Sequence, residues 1–307
     1  MNPSIDLMKN EWHWAEARPP LRSEEHVALP APACEDCGVK RLACLAFLGV
    51  CVSSATELKP QTAAAFDRYV RAAEGRIDAR LRGTQFLWAD DSPARLKSLR
   101  DGQIVVEPAV EQGDVPVTGG LVHDWIGAVF VPGATLDRVL TTVQDYDHDK
   151  VTHRPEVIDS KLLSRDGNHF HIYLRLMKKK VLTVVLNTEH DVVYSPIEGA
   201  RCHSRSYSTR IAEVVDPGKS SEREQPVGND SGFLWRLNSY WRFEERDGGV
   251  YIECQAISLS RDVPTGLGWL IEPIVRQMPA ESLMNTLRST RNAIVATGDE
   301  RRATGSR

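Results

Sequence analysis

The stretch GFLWRLNSYWRFEERDGGVYIECQAISLSR, residues 232–261, decides the fold. Two runs rich in aromatic and β-branched residues flank Asp247-Gly248-Gly249, so the stretch is expected to form a β-hairpin with strands over Phe233 to Glu245 and Val250 to Arg261. An Asp-Gly turn fixes the register, and Trp241 then opposes Cys254. Alternation places Phe233, Trp235, Leu237, Trp241 and Phe243 on one face, with Ile252, Ala256, Ser258 and Ser260 beside them. The other face holds Arg236, Asn238, Tyr240 and Arg242, where Glu253 opposite Arg242 is expected as an exposed ion pair worth under about 1 kcal/mol. Large aromatics set against small residues describe a concave, unfilled wall and hence a pocket. The competing reading is a solid core in which those aromatics meet a helix.

Upstream, the pattern continues as an antiparallel meander, with strands expected at Val157 to Ser164, Asn168 to Met177, Val181 to Tyr194 and Cys202 to Val215. Turns fall at Asp166-Gly167, at Lys178 to Lys180 and at Pro196 to Gly199, and a long polar loop runs from Asp216 to Gly232. A three-residue tip at the lysines sets Leu176 beside Val184 and Phe170 near His190, with His171 facing Glu189 and His169 facing Asp191. The His169-x-His171 pair reads as cross-strand polar pairing on a solvated face rather than as a metal site. Cys202 and Cys254 are separated by an intervening strand, a span of about 9.5 Å that a disulfide does not bridge.

Before the meander, Gln103 to Val110 and Leu121 to Val131 read as strands joined by a connection containing glycine and proline. Helical spacing marks Thr62 to Leu81, Ser92-Pro93 through Leu99, and Gly133 to Gln144. After the meander, Pro279 to Ala296 forms a final helix with an apolar stripe that includes Leu283 and Leu287, and the residues from Gly298 onward are expected to be unstructured.

The chain has 307 residues, 41% of them hydrophobic, and a formal net charge of −4 from 38 basic and 42 acidic side chains. That balance offers no field to attract nucleic acid, and no apolar run is long enough for an ordinary transmembrane helix. Lys40-Arg41, the apolar run Leu42 to Val52 and Ser53-Ser54-Ala55 have the layout of a signal peptide cleaved after Ala55, which predicts an exported, periplasmic or secreted protein; the competing reading of residues 40–55 is a buried apolar helix in a cytoplasmic protein. Residues 1–38 then read as an extension ahead of a start at Val39. Cys34, Cys37, Cys44 and Cys51 lie in this N-terminal part, too few and too apolar in setting for a zinc site. The rest divides into a helical segment, 56–102, one ligand-binding domain, 103–297, and a tail, 298–307.

Several motifs are decoys. Asp145-x-Asp147-x-Asp149 imitates a calcium loop but has Lys150 where the sharp turn needs glycine. No nucleophile elbow, phosphate loop or dinucleotide fingerprint occurs, and Gly266-x-Gly268 is only a loop. His123 and Asp124 are adjacent on a strand and point to opposite faces, so they do not act as a base and its orienter.

The order of strands, a helix, an antiparallel meander and a long C-terminal helix resembles the helix-grip fold of the START-like, or SRPBCC, superfamily. Residues 232–254, 256–283 and HDWIGAVFVPGATLDRVL, 123–140, carry a resemblance to bacterial, acidobacterial-type members, over about 103 to 297 of the chain. The resemblance implies an α+β fold, a curved antiparallel β-sheet wrapped around a long C-terminal α-helix, here with an extra N-terminal helix. It also implies a cavity for a small hydrophobic or amphipathic, lipid-like molecule, with no cofactor. Trp235, Leu237, Trp241, Phe243, Ile252, Ser258, Leu283 and Leu287 are the expected lining, with Arg210 for an acidic ligand group and Leu270 in a loop, Pro264 to Pro273, at the entrance. The alternatives are a cyclase-, aromatase- or hydratase-like enzyme in the same cavity, and a sheet that docks a protein partner.

Overall fold

The computed structural model describes residues 56–111, 113–179, 183–262 and 268–305, with the side chains of 268–275 and 299–305 left aside. The extension, the signal-like segment and its four cysteines lie outside the described residues. In chain order the elements are β1 (Thr56–Glu57), α1 (Pro60–Arg82), α2 (Pro93–Arg100), β2 (Val105–Pro108), β3 (Asp114–Val117), β4 (Gly120–Pro132), α3 (Leu136–Val143) and α4 (Asp149–Thr152). The meander follows as β5 (Val157–Asp166), β6 (His169–Lys179), β7 (Thr183–Ile197) and β8 (Arg201–Val215), then β9 (Arg223–Glu224), β10 (Asn229–Asp230), β11 (Arg236–Arg246), β12 (Gly249–Ser260) and α5 (Gly268–Gly305).

The decisive hairpin forms as its turn dictates. Asp247 and Gly248 both take positive φ, 55° and 74°, which matches the right-handed twist of the flanking strands, and Trp241 pairs with Cys254. From it grows a ten-stranded antiparallel sheet whose main path runs β2-β4-β12-β11-β8-β7-β6-β5. Cys202 on β8 and Cys254 on β12 sit on either side of β11, both free and buried.

The β6–β7 pairing is displaced from the expected one. Lys178 and Lys179 belong to the strand, with Lys178 paired to Glu156, so the tip moves one residue along and Leu176 faces Leu186 while Phe170 faces Val192. A shift of two in the pairing keeps every side chain on its face. His171 now lies opposite Asp191 and bonds it at 2.8 Å through Nδ1, with Nε2 3.5 Å from Glu189.

Each face of the sheet is covered. On the convex side α1 presents Phe66, Val70, Ala73 and Ile77, one stripe at helical spacing, to Val122, Tyr240, Ile257 and Leu259. Beside it Leu99 of α2 and Phe86, Leu87 and Ala89 of the preceding turn cover Ala128, Phe130 and Tyr251. This layer overturns the expectation of a solvated outer face. Arg242 and Glu253 are 3% and 0% exposed, and the pair is a buried one. Tyr240 is likewise buried, its hydroxyl donating to Glu74 of α1 at 3.1 Å.

On the concave side α5 crosses the sheet. It begins at Gly268, well before Pro279, and continues to Gly305 through the tail expected to be unstructured, where helix-forming Glu300 to Ala303 extend it. Leu283, Leu287 and Ile294 are buried against Val129, Ile252 and Phe243. Contact is closest at Gly127, where an added Cβ would lie 2.8 Å from Leu287 Cδ1 and 3.0 Å from the carbonyl of Val105. Gly127→Ala is therefore expected to lower stability by about 1–3 kcal/mol, because backbone on one side and the helix on the other leave no room to yield. A thermal melt matching wild type would show that α5 rides further from the sheet. No helix among the described residues is long and apolar enough to cross a membrane.

Candidate functional site

The concave face can be read rung by rung from the register. Nearest the Gly127 contact, Cys254, Trp241, Ser204 and Tyr194 succeed one another across β12, β11, β8 and β7. The next rung is Trp125, Ala256, Ser239, Ser206 and Val192, and the one after it His123, Ser258, Leu237 and Ser208 with His190. The middle of the sheet is thus floored by small side chains, an alanine and a run of serines on β12, β11 and β8, whereas β6, further out, carries Phe170, Ile172 and Leu174. Small residues on a concave face leave volume that a neighbouring helix must fill or a guest must occupy.

Exposure divides this face in two. The half under Leu283 and Leu287 is closed, with Phe243, Ile252 and Val129 buried. In the other half Trp125, Leu237, Ser239, Trp241 and Ala256 are only half-buried. Trp241 stacks on Phe243, their ring centroids 6.0 Å apart and planes within 5°, so the half-open indole is held rigidly by the closed core. Far along β6 and β7, Tyr146, Phe170 and Tyr194 make an edge-to-face series with 5.5 Å centroid spacings, tied by a 2.9 Å bond between the two tyrosine hydroxyls.

The floor is also polar in selected places. Among the described residues neither Ser204 Oγ nor Trp125 Nε1 has a hydrogen-bond partner, although both atoms are buried. Unpaired buried polar atoms carry a desolvation cost, which a ligand hydroxyl or carbonyl placed there would offset. His190 is fully buried beside Thr188, 3.0 Å from its hydroxyl, and burial pulls its pKa down to about 4. It is a neutral imidazole at physiological pH, able to donate or accept one bond.

Of the residues singled out from sequence, Trp241, Phe243, Ile252, Leu283 and Leu287 come together in one cluster. Leu237 and Ser258 face each other on the same side of the sheet, two rungs from Trp241 and three from Phe243 and Ile252. Trp235 does not join them. The alternation that would have placed it on the concave face starts only at Arg236, after the chain turns at Gly232, and Trp235 instead packs in the α1 cluster with its indole N–H donating to Asp230 at 3.1 Å. Phe233, in the same irregular segment, is exposed. Arg210 is also turned away, because a bulge between Ser208 and Arg210 sets it opposite Glu189, and its guanidinium is held by Glu224 at 3.2 Å through Nη1. Leu270 falls within α5, not a loop, and its side chain lies outside the described ones. Trp125, Ser204 and Ser206 were not anticipated. Their signal was the alternate small residues Cys202, Ser204, Ser206 and Ser208, a period-two pattern facing the aromatic strand.

No family model matches the sequence, and no curated protein does. Solved structures do. The STAR-related lipid transfer protein of Xanthomonas axonopodis aligns at 17% identity over 59% of this chain and 98% of its own, with a TM-score of 0.40. Human STARD10 aligns at 13% identity over 69% of this chain and 83% of its own, TM-score 0.39. The Zhui aromatase/cyclase of Streptomyces sp. R1128 aligns at 12% identity over 59% of this chain and 95% of its own, TM-score 0.37. It is the sheet order and the helix laid across its concave face, rather than these alignments, that make the architecture a helix grip.

Proposed function

We propose that the chain binds a small hydrophobic or amphipathic, lipid-like molecule between the concave sheet and α5, and acts as its carrier or sensor. The observation that supports this reading is the small-residue floor of Ser204, Ser206, Ser239 and Ala256, bordered by half-buried Trp125, Trp241 and Leu237. An apolar surface of about 300 Å² covered there would gain on the order of 7 kcal/mol before ordering costs, which puts the affinity in the micromolar range. The two unpaired floor atoms favour a guest that carries at least one oxygen.

Titration with a dibrominated fatty acid tests it, since bromine quenches indoles on contact. Quenching of tryptophan emission with a micromolar midpoint is expected, and the double replacement Trp125→Phe with Trp241→Phe should remove most of its amplitude. Absence of quenching together with native mass spectra free of any co-purifying small molecule would remove the proposal. The signal-like segment from Lys40 to Ala55 adds the proposal that the carrier acts after export. A mature N-terminus at Thr56 in protein from its own source supports that, and one upstream of Lys40 rejects it.

A further inference from the structure

We propose that Ser260, His123 and Asp114 form an acyl-transfer site at one end of the concave face, acting on esters or thioesters of apolar acids. The three residues come from three strands. β3 places Asp114 directly opposite His123 on β4, and β12 pairs Ser258 with His123, so Ser260, two residues on along the same face, reaches back to the imidazole. His123 Nδ1 lies 2.6 Å from Asp114 Oδ1, and His123 Nε2 lies 3.0 Å from Ser260 Oγ. Each of the three is at most 5% exposed.

The order of partners sets the roles. A carboxylate at Nδ1 holds the proton on that nitrogen and turns the Nε2 lone pair toward the serine hydroxyl, the arrangement in which an imidazole acts as general base. Asp114 is fixed in turn by Arg276 of α5, whose Nη1 donates to Oδ2 at 3.0 Å. Ser260 Oγ has one further acceptor, the carbonyl of Arg261 at 3.1 Å. The hydroxyl has a single hydrogen, so it must rotate from the Arg261 carbonyl to His123 Nε2 before Ser260 acts as a nucleophile.

The chemistry closes on itself. Ser260 Oγ bonds to the acyl carbon as its proton passes to His123 Nε2, and the bond from that carbon to the leaving alcohol or thiol breaks as His123 returns the proton to it. Water then attacks the same carbon, gives its proton to His123, and releases the acid while Ser260 regains its hydrogen, so that ester plus water becomes acid plus alcohol. Ser260 and His123 touch the reacting atoms, whereas Asp114 is a positioning residue. The apolarity of the acyl group rests on the pocket proposed above. The nucleophile itself does not, since it stands on the distances alone.

The test uses the full chain, an alkyl fluorophosphonate read by peptide mapping, and p-nitrophenyl butyrate. A phosphonyl adduct on Ser260 is expected, together with ester hydrolysis that falls about 10³-fold or more in Ser260→Ala. Asp114→Asn should lower kcat near neutral pH and distort the pH profile, and Asp114→Glu should restore part of the rate. A purely structural hydrogen-bonded cluster would give neither a Ser260 adduct nor a hydrolysis rate sensitive to Ser260→Ala in protein whose circular dichroism and melting are unchanged, and either finding overturns the proposal. Should Ser260→Ala fail to fold, the near-isosteric Ser260→Cys replaces it. Alkylation by iodoacetamide with the pH profile of an imidazole-activated thiolate then supports the site, and inertness ends it. Labelling that is indifferent to alkyl length, with no quenching by the brominated acid, would keep the acyl site and discard the apolar pocket. Quenching without labelling would do the reverse.

Discussion

Arg242→Ala is expected to lower the free energy of unfolding by about 3–5 kcal/mol, seen as a fall in the urea midpoint at constant slope. The reason is Glu253, which is 0% exposed and receives one bond from Arg242 Nε at 2.6 Å and another from the backbone N–H of Ala89 at 3.2 Å. Removing the guanidinium strands a carboxylate under the α1 and α2 layer with one weak donor. The double replacement Arg242→Met with Glu253→Leu is expected to cost far less than the single change, because the burial penalty of both charges disappears with them. Equal losses in the single and double variants would mean that water reaches the pair, and so that the helical layer does not seal the convex face.

That pair also shows where sequence reading stops. The face Arg236, Asn238, Tyr240 and Arg242 has the composition of a solvated surface, and nothing local distinguishes it from one. What buries it is α1, whose own stripe of Phe66, Val70, Ala73 and Ile77 announced a need for a partner without naming which. By contrast the β11–β12 register was legible to the residue, because Asp247 and Gly248 encode their turn in two positions. The lysine tip carries no such turn chemistry, and its register slipped by two. Trp235 and Arg210 were misplaced for one shared reason: strict alternation was carried past a strand end in one case and past a bulge in the other. The Ser260 cluster was invisible for a different one. Asp114 sits in a segment with Gly113 and Pro116 that reads as a connection, yet it makes the short strand β3 and meets His123 from the adjacent strand. Setting His123 against Asp124 was sound as far as it went, since Asp124 does face the other way and binds Tyr69 of α1 at 2.7 Å.

Ala256→Phe is expected to weaken binding of the brominated acid by 100-fold or more, about 2.7 kcal/mol, while leaving the melting temperature equal to wild type or higher. Ala256 lies at the centre of the floor, paired with Trp125 on one side and Ser239 on the other, and all three are only half-buried. A phenyl ring projecting from this position takes the volume a guest would need. It also supplies the apolar contacts that the floor lacks, so stability should not fall as it does when a ring is forced into a filled core. The two readouts separate the carrier from the solid core. In a carrier, affinity drops and the fold holds. In a solid core there is no affinity to lose, and Ala256→Phe costs about 1–3 kcal/mol, the usual penalty of overpacking against Trp125, Trp241 and the underside of α5.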